Sequence, residues 1–163
     1  MIAVDATLLA YAVNRYAPQH ARAASVLERL VNGDRPWALP WPAAHQFLRL
    51  VTHAHAVARP LGAEDALGFL DGVRASGSLS MLGPTDRHAT TLRELVSDLG
   101  AAARPSRGLE VASVLREHGV RELLSTDRVM RRFAFLEVVD PLRDPGWSDE
   151  RPPSRRYRRL PRG

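Results

Sequence analysis

The 163-residue sequence contains no cysteine and no lysine. The first absence excludes disulfides and thiolate metal sites. The second makes all 23 basic residues arginine, the side chain suited to bidentate contacts with carboxylate or phosphate. No apolar run reaches the length of about 18 residues that a membrane span needs. The N-terminus, Met1-Ile2-Ala3-Val4-Asp5, has no basic segment ahead of an apolar one. A secretory signal is therefore not expected, and a cytoplasmic location is. An overall excess of positive charge is also missing from the body of the chain. Six arginines and no acid follow Glu150, so residues 1–150 hold 17 basic and 18 acidic groups, a net of −1. The high isoelectric point belongs to the C-terminal end, and the body has no global field with which to attract nucleic acid.

What is present is enough for one ordinary domain, with 45% apolar residues in the range of soluble globular proteins. Short apolar runs alternate with amphipathic stretches. Ile2-Ala3-Val4, Trp37-Ala38-Leu39, Leu79-Ser80-Met81-Leu82, 122–125 and 136–139 are predicted strands. Helices are predicted over 6–13, 19–31, 42–55, 64–74, 86–99 and 108–118. Asn32-Gly33-Asp34 ends the second helix, Pro42 sits in the first turn of the third, and Gly119 stops the last. This alternation predicts an α/β fold with a mostly parallel sheet covered on both faces. Ligands of such sheets bind beyond the carboxyl ends of the strands. Asp5 and Asp127 each follow a predicted strand and are placed at that crevice. No internal repeat is present. Beyond residue 143 the composition shifts to proline and arginine, and 144–163 reads as a flexible tail.

Several segments, in order, carry a family resemblance. They are Ile2-Ala3-Val4-Asp5-Ala6-Thr7-Leu8-Leu9-Ala10-Tyr11-Ala12, Pro36-Trp37-Ala38-Leu39-Pro40-Trp41-Pro42, His45-Gln46-Phe47-Leu48-Arg49, Glu117-His118-Gly119-Val120 and Ser125-Thr126-Asp127-Arg128. Together they resemble the PIN domains of VapC toxins over residues 1 to about 143. The resemblance implies a PIN-like three-layer sandwich and a metal-dependent endoribonuclease of a toxin–antitoxin pair. It also implies an antitoxin partner, an RNA substrate, a homodimer, and a ring of carboxylates binding Mg²⁺ or Mn²⁺. Hard cations take oxygen ligands, and they neutralise charge on a phosphodiester.

Position by position the resemblance is uneven. Asp5 and Asp127 match acids of the family. Gln46 stands where His-Glu-Phe-Leu-Arg would place a second acid. Gly108 stands where an aspartate opens the helix, and Val129 where a further aspartate is common. Thr7 replaces a common asparagine. Each missing carboxylate removes an attraction of at most about 4 kcal/mol at roughly 4 Å and an effective dielectric near 20. Glu110 is near Gly108 in sequence, but two residues along a helix turn a side chain by roughly 200°. Arg104 and Arg107 are candidates to pair with Asp5 and Asp127 where a metal would sit.

Plainer roles compete at each position. Asp5 and Asp127 are also good capping or turn residues, and Gln46 suits a half-buried helix face. His53 and His55 have poor geometry for one metal and are expected at the surface; His45 and His118 are expected to be structural. Trp37 and Trp41 suit core or interface anchors. Arg155, Arg156, Arg158 and Arg159, around Tyr157, either contact RNA phosphates or form a solvated end. Two functions follow: a ribonuclease using Asp5, Asp127 and Gln46, with activity reduced by the lost acids, or a non-catalytic protein of this fold that binds RNA, an antitoxin or a related subunit.

Overall fold

A computed structural model of the chain describes residues 1–57, 59–100, 108–143 and 147. Arg104, Arg107 and the arginines at 155, 156, 158 and 159 therefore lie outside the described residues. Five strands form one sheet: β1 (Ile2–Val4), β2 (Trp37–Pro40), β3 (Leu79–Leu82), β4 (Glu122–Leu124) and β5 (Glu137–Val139). Six helices connect them: α1 (Ala6–Val13), α2 (His20–Asn32), α3 (Trp41–Thr52), α4 (Ala63–Arg74), α5 (His88–Asp98) and α6 (Leu109–Glu117). A 3-10 turn covers Arg128–Arg132. The sheet order is β3-β2-β1-β4-β5, and every pair is parallel. Each predicted strand and helix is present, with ends shifted by no more than three residues.

The strands are too short to be stable alone and are held by burial on both faces. β1 and β2 are fully buried along their length, which is the pattern of a parallel sheet enclosed by helices. One group of helices, in which α1 packs on α2 and α3 and α3 on α4, and a second pair, α5 on α6, enclose it. Trp37, Phe47, Leu8, Leu9, Leu30 and Leu115 are among the largest fully buried side chains. Trp41 is exposed and stacks loosely on His45, with ring centroids 6.0 Å apart. His53 and His55 are exposed, as their position at a helix end predicts. Trp147, within the segment assigned to the tail, packs half-buried against the core beneath Arg29.

The helix ends show why the chain turns where it does. Gly119 has φ +66°, a backbone region that favours glycine. The Val120 N–H donates to Leu115 O at 2.9 Å and the Gly119 N–H to Arg116 O at 3.2 Å, the paired bonds of a Schellman stop. This returns the chain directly into β4.

The strand order fixes where a site can be. From β1 the chain builds outward through β2 to β3, then crosses back to add β4 and β5 on the other side of β1. The switch point therefore lies between the carboxyl ends of β1 and β4, where a crevice opens in sheets of this kind.

Candidate active site at the β1–β4 switch point

The register of the two central strands brings the key residues together. Val4 of β1 pairs with Leu124 of β4, so Asp5 and Ser125, each one residue further on, face each other. The Asp5 N–H donates to Leu124 O, and the Ser125 N–H to Val139 O, both at 3.0 Å. Both residues are thus anchored by sheet hydrogen bonds before their side chains engage.

Asp5 is 3% exposed. Its Oδ1 accepts from the Ala6 N–H at 2.7 Å, capping α1, and its Oδ2 accepts from the Ser125 hydroxyl at 2.6 Å. The same carboxylate thus caps α1 and reaches across to β4 at the switch point. Burial pushes the Asp5 carboxyl above its ordinary 3.8, against the pull of the Ser125 and Ala6 hydrogen bonds, and the nearby Asp127 charge adds to the rise.

Asp127 is half-buried, and its Oδ1 accepts from the Val129 N–H at 2.9 Å, capping the 3-10 turn. Its own N–H donates to Ser125 Oγ at 3.0 Å. Ser125 thus bridges the two acids, donating to Asp5 and accepting from Asp127. Thr7 Oγ1 accepts from the Thr126 N–H at 3.2 Å, tying the first turn of α1 to the same loop. Ser125 is a functional position that the sequence does not single out, although its place beside Thr126-Asp127 at a strand end is the pattern of a side chain that hydrogen-bonds the local backbone.

The remaining expected positions differ in kind. Gln46 lies half-buried on the second turn of α3. Glu110 is exposed in the first turn of α6, in keeping with the rotation expected from its spacing to Gly108. Gly108 is buried at the start of α6. A Cβ placed there would lie 2.7 Å from Met130 Sδ, 3.3 Å from Phe133 Cε2 and 3.6 Å from Val129 Cγ1. Two positions where the resemblance expects acids, 108 and 129, therefore face one another across an apolar contact. Met130 and Phe133, each 2% exposed, fill the space into which a side chain at 108 would project. No pattern in the sequence links 108 to 130; only the fold does.

Among the described residues no group of three or more His, Asp or Glu side chains is arranged to hold a metal ion. Divalent ions of the Mg²⁺ or Mn²⁺ kind take about six oxygen ligands and draw their affinity largely from carboxylate charge. Here the crevice offers Asp5, whose burial works against its charge, and Asp127.

A second polar cluster ties α6 to the loop after β3. The Glu117 carboxylate accepts from the Thr85 N–H at 2.6 Å and the Thr85 hydroxyl at 2.7 Å, and it also pairs with His88 Nδ1. His118 Nε2 bonds Gly83 O at 2.8 Å, a structural role. Desolvation raises the Glu117 pKa, but the bonds from Thr85 and His88 together outweigh it and hold the group below its ordinary 4.5. A depressed carboxylate stabilises the fold above its unfolded pKa, and that contribution is lost as pH falls through the folded value. Glu117→Gln is expected to lower the melting temperature at pH 7. The difference from the parent chain is expected to shrink below about pH 4, because the parent then loses the same charge. Thermal unfolding of both at pH 7 and pH 3 checks this; a constant difference would refute it.

Comparison with known proteins places these features. No family model matches the sequence. Ribonuclease VapC33 of Mycobacterium tuberculosis is 34% identical over 144 residues, covering 88% of this chain and 100% of that protein. Ribonuclease VapC43 of the same organism is 32% identical over 142 residues, covering 87% and 96%. Among solved structures, VapBC2 of Rickettsia felis bound to a promoter DNA fragment superposes with a TM-score of 0.59 at 16% identity, covering 85% of this chain and 98% of the matched one. M. tuberculosis VapC20, a toxin that cleaves the sarcin–ricin loop, superposes with a TM-score of 0.56 at 13% identity, covering 78% and 90%. These two likenesses support the fold; the sequence relatives carry the family.

Proposed function

The chain belongs to the VapC-type PIN-domain ribonucleases, and from that membership we propose that it is the toxin-lineage member of a toxin–antitoxin pair whose metal-dependent cleavage of RNA is reduced or lost. The observation that carries this reading is the packing at Gly108. Where a carboxylate would complete the metal site, Met130, Phe133 and Val129 take the space. The donor set, in this reading, does not fit a divalent ion of the Mg²⁺ or Mn²⁺ kind. Asp5 and Asp127 then serve the fold, capping α1 and the 3-10 turn through Ser125. What remains of the function is binding: an antitoxin, by likeness to the VapBC2 assembly, RNA, or a second subunit of the same fold.

The relatives' names favour a second reading, a ribonuclease in which Asp5 and Asp127, with the Gln46 amide oxygen, still hold an ion. The two separate on one assay. Purified protein is incubated with structured RNA in Mn²⁺ or in chelator, beside a Gln46→Glu/Gly108→Asp/Met130→Ala variant. The third substitution makes room for the second. The unaltered chain is expected to show chelator-sensitive cleavage that is absent or many-fold slower than the variant's. Cleavage by the unaltered chain as fast as the variant's, abolished by chelator and removed by Asp5→Ala, would establish the ribonuclease instead.

A further inference from the structure

A groove of about 290 Å³ is lined by Ala12 of α1, by Ala24, Leu27 and Val31 of α2, and by Phe69 and Gly72 of α4. Gly72 is exposed, and a Cβ placed there would meet nothing within 4 Å. The α4 wall therefore admits an occupant closely. We propose that the C-terminal segment of this same chain, 148–163, occupies the groove, with Tyr157 and Leu160 on its apolar lining and the neighbouring arginines on its acidic rim.

The chain leaves the folded body on α2. The Arg22 Nε–H donates to Pro141 O. The Arg29 guanidinium lies 5.5 Å from the centroid of the Trp147 ring, which packs half-buried against the core. Residues 22 and 29 share one face of α2 and are roughly 10 Å apart along it. Pro141 and Trp147 thus follow α2 in its own direction, and residue 148 starts beside it. Ala24, Leu27 and Val31 lie roughly 140° further round the same helix. The surface between carries Ser25, Glu28 and Asn32, all exposed. On a helix about 11 Å across, that arc is about 13 Å, or about four residues of extended chain. Residues 148–151 span it, and Tyr157 and Leu160 come after.

Chemistry matches the segment to the groove. Proline aside, Tyr157 and Leu160 are the only large apolar side chains in 148–163, and Arg155, Arg156, Arg158 and Arg159 flank Tyr157. The groove pairs an apolar lining with carboxylates at its edge. Glu28 lines it from α2, and Asp65 lies one turn before Phe69 on the same face of α4. Both acids are exposed, and among the described residues neither forms a salt bridge. Exposed ion pairs contribute little singly, so burial of Tyr157 and Leu160 is the main attraction. Tethering favours the chain's own end over a second copy. A segment joined by a short link has an effective concentration on the order of mM, so a contact with a dissociation constant of about 1 mM is already roughly half occupied. Any outside segment must displace it to reach the groove. The contact needs neither metal nor cleavage, and it stands under either reading of the function.

The test uses the full chain. It has no cysteine, so Ser154→Cys gives a single attachment point for a nitroxide. Broadening of the Ala24, Leu27 and Val31 methyl signals is then compared by NMR with that of Val96, an exposed residue on α5. The groove methyls are expected to broaden severalfold more than Val96, to the same degree on dilution, as a contact within one chain requires. Tyr157→Ser/Leu160→Ser is expected to abolish the difference. So is Gly72→Phe, which fills the groove. The first variant leaves the folded body untouched, so the test does not depend on the second one folding. Equal broadening of the groove and Val96, or a difference that survives Tyr157→Ser/Leu160→Ser, would overturn the proposal. So would broadening that appears in a mixture of nitroxide-bearing chains with separate isotope-labelled chains, which would make the occupant a second copy.

Discussion

Gly108→Asp is expected to lower the unfolding free energy by about 2–4 kcal/mol, the larger part from overpacking and the rest from an unpartnered buried carboxyl. The contact distances set this expectation. The first added atom, Cβ, already falls 2.7 Å from Met130 Sδ and 3.3 Å from Phe133 Cε2. A methionine is adaptable and can often yield, but this one is 2% exposed and belongs to the same core as Phe133, Leu109 and Leu136. Its displacement must be taken up by neighbours that are themselves packed. The carboxyl that follows Cβ enters an apolar contact, where its charge is disfavoured without a metal or a donor. Met130→Ala alone is expected to cost roughly 2–4 kcal/mol, because it opens a cavity. Combined, the two substitutions are expected to destabilise by at least about 1 kcal/mol less than the sum of the single effects, since the cavity admits the new side chain. Urea unfolding of the four proteins measures the coupling. Full additivity, or a Gly108→Asp chain as stable as its parent, would show that Met130 does not fill the site.

That packing also marks how far the sequence could be read. The strands and helices were legible because apolar residues recur with periods that differ between strand and helix, and because Pro42 and Gly119 punctuate them. The parallel sheet followed from their alternation. The order β3-β2-β1-β4-β5 did not, since alternation alone leaves the side on which β4 joins undetermined. Within the site, Asp5 and Asp127 were placed correctly at strand ends. The structure shows capping of α1 by one Asp5 oxygen and a bond from the Ser125 hydroxyl to the other, a pairing that depends on β4 lying beside β1. The Gly108–Met130 contact and the role of Ser125 required tertiary structure. One joins residues in different elements with no periodic relation; the other depends on the register of β1 against β4.

Ser125→Ala is expected to cost about 2–3 kcal/mol at pH 7, more than an ordinary lost hydroxyl, because a buried carboxylate and a half-buried N–H lose their partner at once. Asp5 Oδ2 loses its donor, and the Asp127 N–H loses its acceptor. Alanine cannot admit a replacement hydroxyl, and the residue is 1% exposed. Acid titration distinguishes this cause from simple loss of packing. Asp5 is raised above its ordinary 3.8 in the folded chain. Its contribution to stability is therefore fully present below the unfolded pKa and is lost as pH rises through the folded value. Without the Ser125 hydroxyl, which favours the charged form, the folded pKa rises further and that loss grows. The gap between Ser125→Ala and its parent is thus expected to widen as pH rises from the ordinary carboxyl range through the folded value of Asp5. Asp5→Asn supplies the control. The amide keeps an oxygen for the Ala6 N–H and an N–H for Ser125 Oγ, and it has no charge to desolvate. Adding Ser125→Ala to Asp5→Asn is then expected to give a cost nearly independent of pH over that interval. If it still grows with pH, the dependence arises from a group other than Asp5, and the electrostatic account of this pair of strand ends fails.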